Sequence, residues 1–253
     1  MNNKDLEKEL LNLVCKPINP KLQITKKSTP IPFFGNYKKA KVYTISLNPS
    51  DREFYDKKNN LLIGEKKRLC SREVFGKKDE DSLSENEGFQ VLEACEKYFD
   101  NNPYRSWFDK FNRFLLSFDS SYSYYEGTVV ALDLVQWATT AKWSALQEDI
   151  KNKLLESSLP YLKKLFARRN IDKIFLNGKT VYSVIKKELN CNFIEKSIKI
   201  KEKNIKVYLG RFNNIDVIGW NIYLQSQIGL SSNDIINIGS LIRAEYDKWH
   251  NKS

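Results

Sequence analysis

Histidine is almost missing from this chain: His250 is the single one among 253 residues. A histidine-rich metal site is excluded by count. A Ser-His-Asp or Cys-His hydrolase would need the C-terminal end folded back into its site. Cysteine is scarce and scattered: Cys15, Cys70, Cys95 and Cys191 show no C-x-x-C spacing, which argues against a zinc ribbon. Distant cysteines converging on an iron–sulfur cluster are the one metal alternative, and reduced structural thiols are the expectation. No feature asks for an organic cofactor. No apolar run approaches the ~20 residues of a membrane span, so no membrane partner is expected. The opening Met1-Asn2-Asn3-Lys4-Asp5 is polar and mixed in charge, unlike a secretory signal, and a cytoplasmic location is the expectation. No internal repeat or low-complexity tract is visible.

What the chain has is positive charge and aromatic residues. Lys and Arg number 42 against 31 Asp and Glu, a formal net charge of +11. That balance favours a polyanionic partner, most simply nucleic acid, bound through phosphate contacts that weaken with salt. The plain alternative is a Lys-, Asn- and Ile-rich composition of genomic origin. Hydrophobic residues at 41% and aromatics at 13% are ample for a packed core. The length allows one large α/β domain or two small ones. The reading is a single domain over residues 1–253, with residues 1–35 as an N-terminal helix and a mobile Pro-rich arm, and a monomer.

Leu6, Leu10, Leu13 and Val14 share one helical face over Asp5–Cys15. Pro17, Pro20, Pro30 and Pro32 interrupt the stretch after it. Val42-Tyr43-Thr44-Ile45-Ser46-Leu47 reads as a buried strand that stops at Asn48-Pro49-Ser50. Residues from Asp51 to Asp81 read as a long polar loop, and long loops inside compact domains are usually functional. Ser84-Glu85-Asn86-Glu87 has the capping-box pattern for a helix to about Asp100. Pro103 starts another, whose stripe of Trp107, Phe108, Phe111, Phe114 and Leu115 reads as core.

Thr128–Val135 is a second buried strand. Ser144 is placed as the cap of a long helix to Arg169, bent near Pro160. Lys173–Asn177 is a third strand, followed by a helix opened by Gly178-Lys179-Thr180. That tripeptide lacks the upstream glycine of a phosphate-binding loop. Ile198–Leu209 alternates Lys with apolar residues, as a hairpin or an edge ribbon would. Asp216–Leu224 is the fourth strand, with a loop over Gln225–Ser232 and a final helix over Asn233–Lys248. Strands alternating with helices predict an α/β fold: a three-layer α/β/α sandwich around a four-stranded, mostly parallel sheet.

Three polar spots then fall at strand ends: Asn48, Asp133 and the Gln225–Ser232 loop. Ligands of parallel sheets sit at such ends. Together these residues resemble the uracil-DNA glycosylase superfamily. There the first strand ends in Gly-Gln-Asp-Pro or Gly-x-Asn-Pro, a second strand carries a base-reading Asn, and a His-Pro-Ser or Asn-Pro-Ser loop ending in Leu-Ser follows the last. This chain has Ser46-Leu47-Asn48-Pro49-Ser50, Val130-Ala131-Leu132-Asp133-Leu134-Val135 and Gln227-Ile228-Gly229-Leu230-Ser231. Phe175-Leu176-Asn177-Gly178-Lys179-Thr180 is similar to the family's third strand and its Gly, and Pro103-Tyr104-Arg105-Ser106-Trp107-Phe108 to a helix of other members. The resemblance covers most of residues 30–248.

The resemblance implies a uracil-DNA glycosylase-like fold and excision of a base flipped out of double-stranded DNA. Asn48 would hold the attacking water, and Phe54 or Phe75 would stack on the base. Leu230 would fill the vacated stack, and Ser50, Ser231 and Ser232 would contact the DNA backbone. The plain alternatives are a strand-to-loop turn at Asn48, a hydrophobic contact at Leu230 and a helix cap at Ser232. Two departures stand out. The His or Asn of the last loop is absent, with Ser226 or Gln225 near its place. The base-reading Asn is replaced by Asp133, which, if ionised, presents acceptors only and suits the amine of cytosine. The alternative for Asp133 is a cap or an ion pair with a Lys.

The expected activity is therefore a monofunctional DNA glycosylase acting on a modified cytosine-type base. Such a base is the glucosylated hydroxymethylcytosine of phage DNA that an anti-phage branch of the superfamily removes. The alternatives are a uracil or mismatch glycosylase of base-excision repair, a non-catalytic DNA-binding module of the same fold, and a hydrolase of free nucleosides.

Overall fold

The computed structural model describes residues 3–167, 171–226 and 229–251. The expected helix end at Arg169, and Gln227 and Ile228 of the last loop, lie outside them. The described residues contain strands β1 (Val42–Ser46), β2 (Val129–Asp133), β3 (Lys173–Asn177), β4 (Phe193–Ile200), β5 (Lys203–Phe212) and β6 (Ile215–Trp220). They form one mixed sheet in the order β2-β1-β3-β6-β5-β4. The six α-helices are α1 (Asn3–Val14), α2 (Glu85–Glu96), α3 (Arg105–Phe118), α4 (Glu148–Phe166), α5 (Lys179–Leu189) and α6 (Ser232–His250). The fold is thus α/β, as the alternation predicts.

The sheet has six strands where the sequence predicts four. β1, β3 and β6 are parallel, with Thr44 opposite Phe175 and Phe175 opposite Ile218. The two extra strands come from the Lys-rich ribbon, whose hairpin pairs Ile200 with Lys203 and then joins β6 in antiparallel fashion. Ile198, Ile200, Ile205, Val207 and Leu209 are all buried in it, so its apolar positions gain more by joining the sheet than as a free ribbon. Exposed Lys196 and Lys199 stay on β4, the outer strand, where charge discourages further pairing.

The chain divides into two compact units, each assembled from three stretches. The first comprises Met1–Tyr37, Leu47–Tyr104 and Leu132–Arg169. The second comprises Lys38–Ser46, Arg105–Ala131 and Asn170–Ser253, and so holds most of the sheet.

In the first unit α1 packs on α2 and α4. The capping box of α2 forms as its sequence predicts, Ser84 accepting from the Glu87 N–H and Glu87 from that of Ser84. Ser144 does not cap α4. It lies in a separate turn over Trp143–Ala145, and α4 starts behind Gln147. The Pro-rich arm is not loose. Thr25 N–H bonds the Ala138 carbonyl at 2.9 Å and Ile31 N–H that of Gln136 at 2.7 Å, while Ile31 and Phe33 are each 1% exposed. Its prolines remove donors without removing burial, so the arm lies in the core beside residues 136–140.

The long polar stretch after Asn48 is held by Arg72. Its guanidinium has no exposed surface and donates to the carbonyls of Lys16, Ser28 and Asp81. One cation thereby ties the loop to α1's exit and to the arm.

In the second unit α3 crosses α6 at Gly239, where a Cβ would lie 1.9 Å from Ser117 Oγ. Phe111, Phe114 and Phe118 of α3 pack with Phe175 and Trp220, Phe114 and Trp220 at a centroid distance of 4.6 Å. The stripe of α3 is core. Gly178 stands at φ 108°, and a Cβ there would meet the Tyr223 ring at 2.3 Å, so this glycine serves close packing.

Replacing Arg72 with Met should leave the carbonyls of Lys16, Ser28 and Asp81 without this donor. The expected loss is about 3 kcal/mol of unfolding free energy, read from urea denaturation of the full chain. An unchanged midpoint would show that the clamp is dispensable.

Candidate active site

The first unit gathers Asn48, Glu53 and Asp133. Beyond β1 and β2 the two chains continue side by side: Val135 N–H bonds the Leu47 carbonyl at 3.0 Å, and Ser50 bridges Thr139 in parallel sense. This places the Asn48 amide and the Asp133 carboxyl at the ends of neighbouring strands. Asn48 Nδ2 donates to Thr139 Oγ1 at 3.0 Å and to the Pro49 carbonyl at 3.1 Å. Thr139 in turn donates to the Ala141 carbonyl, so its oxygen is free to accept from Asn48. With Nδ2 committed twice, Oδ1 is left as an acceptor with no partner among the described residues.

Asp133 is 6% exposed, and its carboxyl has no hydrogen-bond or ion-pair partner among the described residues. The Lys pairing open to it in the sequence is not formed. Its backbone carbonyl accepts from Gln136 Nε2 at 3.0 Å, which fixes the turn after the strand. Burial pushes the acid well above the usual carboxylate range, and the nearby Glu53 carboxyl pushes it further. Desolvation thus favours the protonated form over the ionised, acceptor-only Asp133 of the sequence reading. A protonated carboxyl offers one donor and one acceptor.

Nothing in the sequence singles out Glu53. It ends a single turn over Asp51–Glu53 and is 3% exposed. Tyr98 Oη donates to its Oε2 at 2.6 Å and itself accepts from Tyr104 N–H at 2.9 Å. Burial raises Glu53 to about 7, opposed by the Tyr98 bond and the Arg68 charge. Arg68 lies 5.0 Å over the Tyr104 ring. Only the nearness of Glu53 to Asn48 along the chain hints at this network. Its other members are some fifteen to fifty residues away, and nothing local marks them as partners.

The remaining candidates in this unit fare differently. Phe54 is 2% exposed and belongs to the core, so its ring is not open for stacking on a base. Phe75 is half-buried at the end of the turn Arg72–Phe75. Ser50 caps the Asp51–Glu53 turn, its Oγ accepting from Arg52 N–H and donating to Asp51. That commits it to the turn.

In the second unit Asn177, fully buried, organises the ends of its strands. Its Oδ1 accepts from Trp220 Nε1 and Leu224 N–H, each at 3.2 Å. Its Nδ2 donates to Ser46 Oγ at 3.1 Å and to Gln225 Oε1 at 2.7 Å. Gln225 is thus a fixed, buried side chain, while Ser226 beside it is exposed. Leu230 is half-buried. Ser231, not Ser232, caps α6, in a capping box with Asp234. Ser232 Oγ accepts from Arg113 at 2.8 Å.

Among the described residues no group of three or more His, Cys, Asp or Glu side chains could hold a metal ion, and no helix is long and apolar enough to cross a membrane. No protein-family model matches the chain, and no curated protein does.

The buried Glu53 makes stability depend on pH. Between its ordinary value of 4.5 and about 7 the folded protein keeps a proton that the unfolded chain releases. Stability should therefore fall as pH rises through that window, Glu53 contributing about 3 kcal/mol and the raised Asp133 a further fall of the same sign. Urea melts from pH 4 to 8 read this slope. It should become shallower in Glu53→Gln, whose amide oxygen can still accept from Tyr98, and an identical slope in that variant would assign the pH dependence elsewhere.

Proposed function

We propose that this protein is a DNA N-glycosylase. It takes a cytosine-type, modified base flipped from duplex DNA and hydrolyses its bond to the sugar, leaving an abasic site. One observation carries the reading: Asn48, anchored through Nδ2, leaves Oδ1 without a partner among the described residues, at a strand end neighbouring that of the buried Asp133, whose carboxyl likewise has none among them. Cleaving an N-glycosidic bond needs a positioned water on the sugar and stabilisation of the departing base. A fixed amide oxygen accepts a water proton and orients its oxygen. A carboxyl at the next strand end meets the edge of the base.

In this reading Phe75, with part of its ring exposed, is the remaining stacking candidate from the sequence. In the second unit Ser226 is an exposed neutral donor, and Leu230 keeps part of its surface open. The α6 N-terminus, with Arg113 bonded to Ser232, supplies partial positive charge and a cation suited to a phosphate. The net charge of +11 adds general affinity for DNA, which falls with salt.

The test is alkaline cleavage of duplexes carrying uracil, cytosine, hydroxymethylcytosine or its glucosylated form after incubation with the protein. Strand breaks are expected at a cytosine-type base. Asn48→Ala should lower the rate on the order of 10²-fold or more while DNA binding, read by fluorescence anisotropy, stays near that of the unchanged protein. Absence of abasic sites on every duplex would overturn the proposal.

A further inference from the structure

Ile63 is the most exposed large hydrophobic side chain among the described residues, at 65%. The backbone that carries it is tied down on both sides. Tyr55 and Leu61 pair in antiparallel sense, Asp56 N–H bonds the Asn60 carbonyl at 2.9 Å, and Leu62 N–H that of Phe54 at 2.8 Å. Asp56 closes the turn between them: its carboxylate accepts from the N–H groups of Lys58 and Asn60 at 2.8 and 2.9 Å, with Asn59 at φ 61°. Ile63 then leads into the turn Gly64–Lys66, where Asn102 Nδ2 donates to the Lys66 carbonyl at 2.9 Å. Leu62 is buried, so the chain is anchored one residue before the exposed side chain.

The charge around this tip has one sign. Residues 57–68 carry Lys57, Lys58, Lys66, Lys67 and Arg68 against Glu65 alone. None of the four lysines has a carboxylate at ion-pair distance among the described residues, and Lys57, Lys58 and Lys66 are exposed. The other exposed large hydrophobics of the first unit have the opposite setting. Val74 follows Glu73, and Phe89 stands one helical turn from both Glu85 and Glu93. Those acids repel a polyanion, whereas the lysines beside Ile63 attract one.

We propose that this tip is a contact for duplex DNA, in which the lysines take phosphates and Ile63 enters between base pairs as a wedge. It rests on the DNA reading given above and adds a surface to it: the resemblance gives the filling role to Leu230 and none to this loop. An apolar side chain driven into a base step leaves water and partly unstacks the step, and cations on the flanking phosphates hold it there. An ordered tip brings the wedge already placed, so less conformational freedom is lost on binding. One side chain is enough for a wedge. It is far smaller than the acyl chain that a basic patch needs beside it to hold a protein on a lipid surface.

Two readouts test the tip, neither of which needs cleavage. Duplexes with 2-aminopurine at successive positions report unstacking, and anisotropy at several salt concentrations reports phosphate contacts. The unchanged protein should raise the 2-aminopurine fluorescence at one step. Ile63→Ser should abolish that rise while its affinity stays within about tenfold of the unchanged protein's. The combined Lys57→Gln, Lys58→Gln, Lys66→Gln, Lys67→Gln variant should flatten the slope of log affinity against log salt by about two or more. Both variants should keep the urea midpoint of the unchanged protein, since these side chains are exposed or half-buried. No rise at any position, an unchanged rise in Ile63→Ser, or an unchanged slope in the lysine variant overturns the proposal. The glycosylase reading then stands if abasic sites are still made. Both expected effects with no abasic site on any duplex would support the wedge and overturn the glycosylase reading alone. Ile63-dependent binding to phosphatidylserine vesicles, with DNA binding alike in all three proteins, would give the tip to a lipid surface instead and overturn the proposal.

Discussion

Arg72 is a cation without solvent. Its guanidinium has exchanged water for the carbonyls of Lys16, Ser28 and Asp81. Burying a charge is costly unless it is hydrogen-bonded, and each of the three guanidinium nitrogens finds a main-chain acceptor. The first unit depends on this exchange. A loop rich in Lys, Asp and Glu could not bury enough apolar surface to order itself. Once Arg72 ties it to the arm and to the end of α1, the preceding turn that carries Glu53 has a packed surround. Asn177 does the equivalent work in the second unit, with all four of its hydrogen bonds made inside the protein.

The candidate site shows the reverse arrangement. Asn48 has one satisfied end and one open, and Asp133 has no partner at all among the described residues. Buried polar groups in proteins are nearly always paired, so unpaired ones at a strand end mark where an external group belongs. The same low-dielectric surround that makes Arg72 and Asn177 strong ties raises the Asp133 carboxyl above its usual range. Structure and chemistry draw on one property, the scarcity of water around polar atoms.

Much of the scaffold is legible in the sequence. Ser84 and Glu87 announce the start of α2, and the Phe stripe of α3 announces its buried face. The parallel core of the sheet comes from short apolar runs closed by turns. The ribbon over residues 193–212 is legible as alternation but not as sheet, since period-two patterning does not say what a strand pairs with. Phe54 misleads because an aromatic residue in a polar loop looks available, whereas its side chain is buried. The Pro-rich arm misleads for a related reason: proline denies a donor, yet leaves carbonyls and apolar rings free to be buried.

By itself the sequence determined where β1 and β3 end and which side chains stand there, because those depend on neighbours within a few residues. Asn48 and Asp133 are visible on that basis. Only the tertiary structure decided which end of the Asn48 amide is free, and that burial raises Asp133 above the usual carboxylate range. It also decided that Tyr98 donates to the buried Glu53. Those properties come from desolvation and from charges brought close by folding, and distance along the chain carries no record of either.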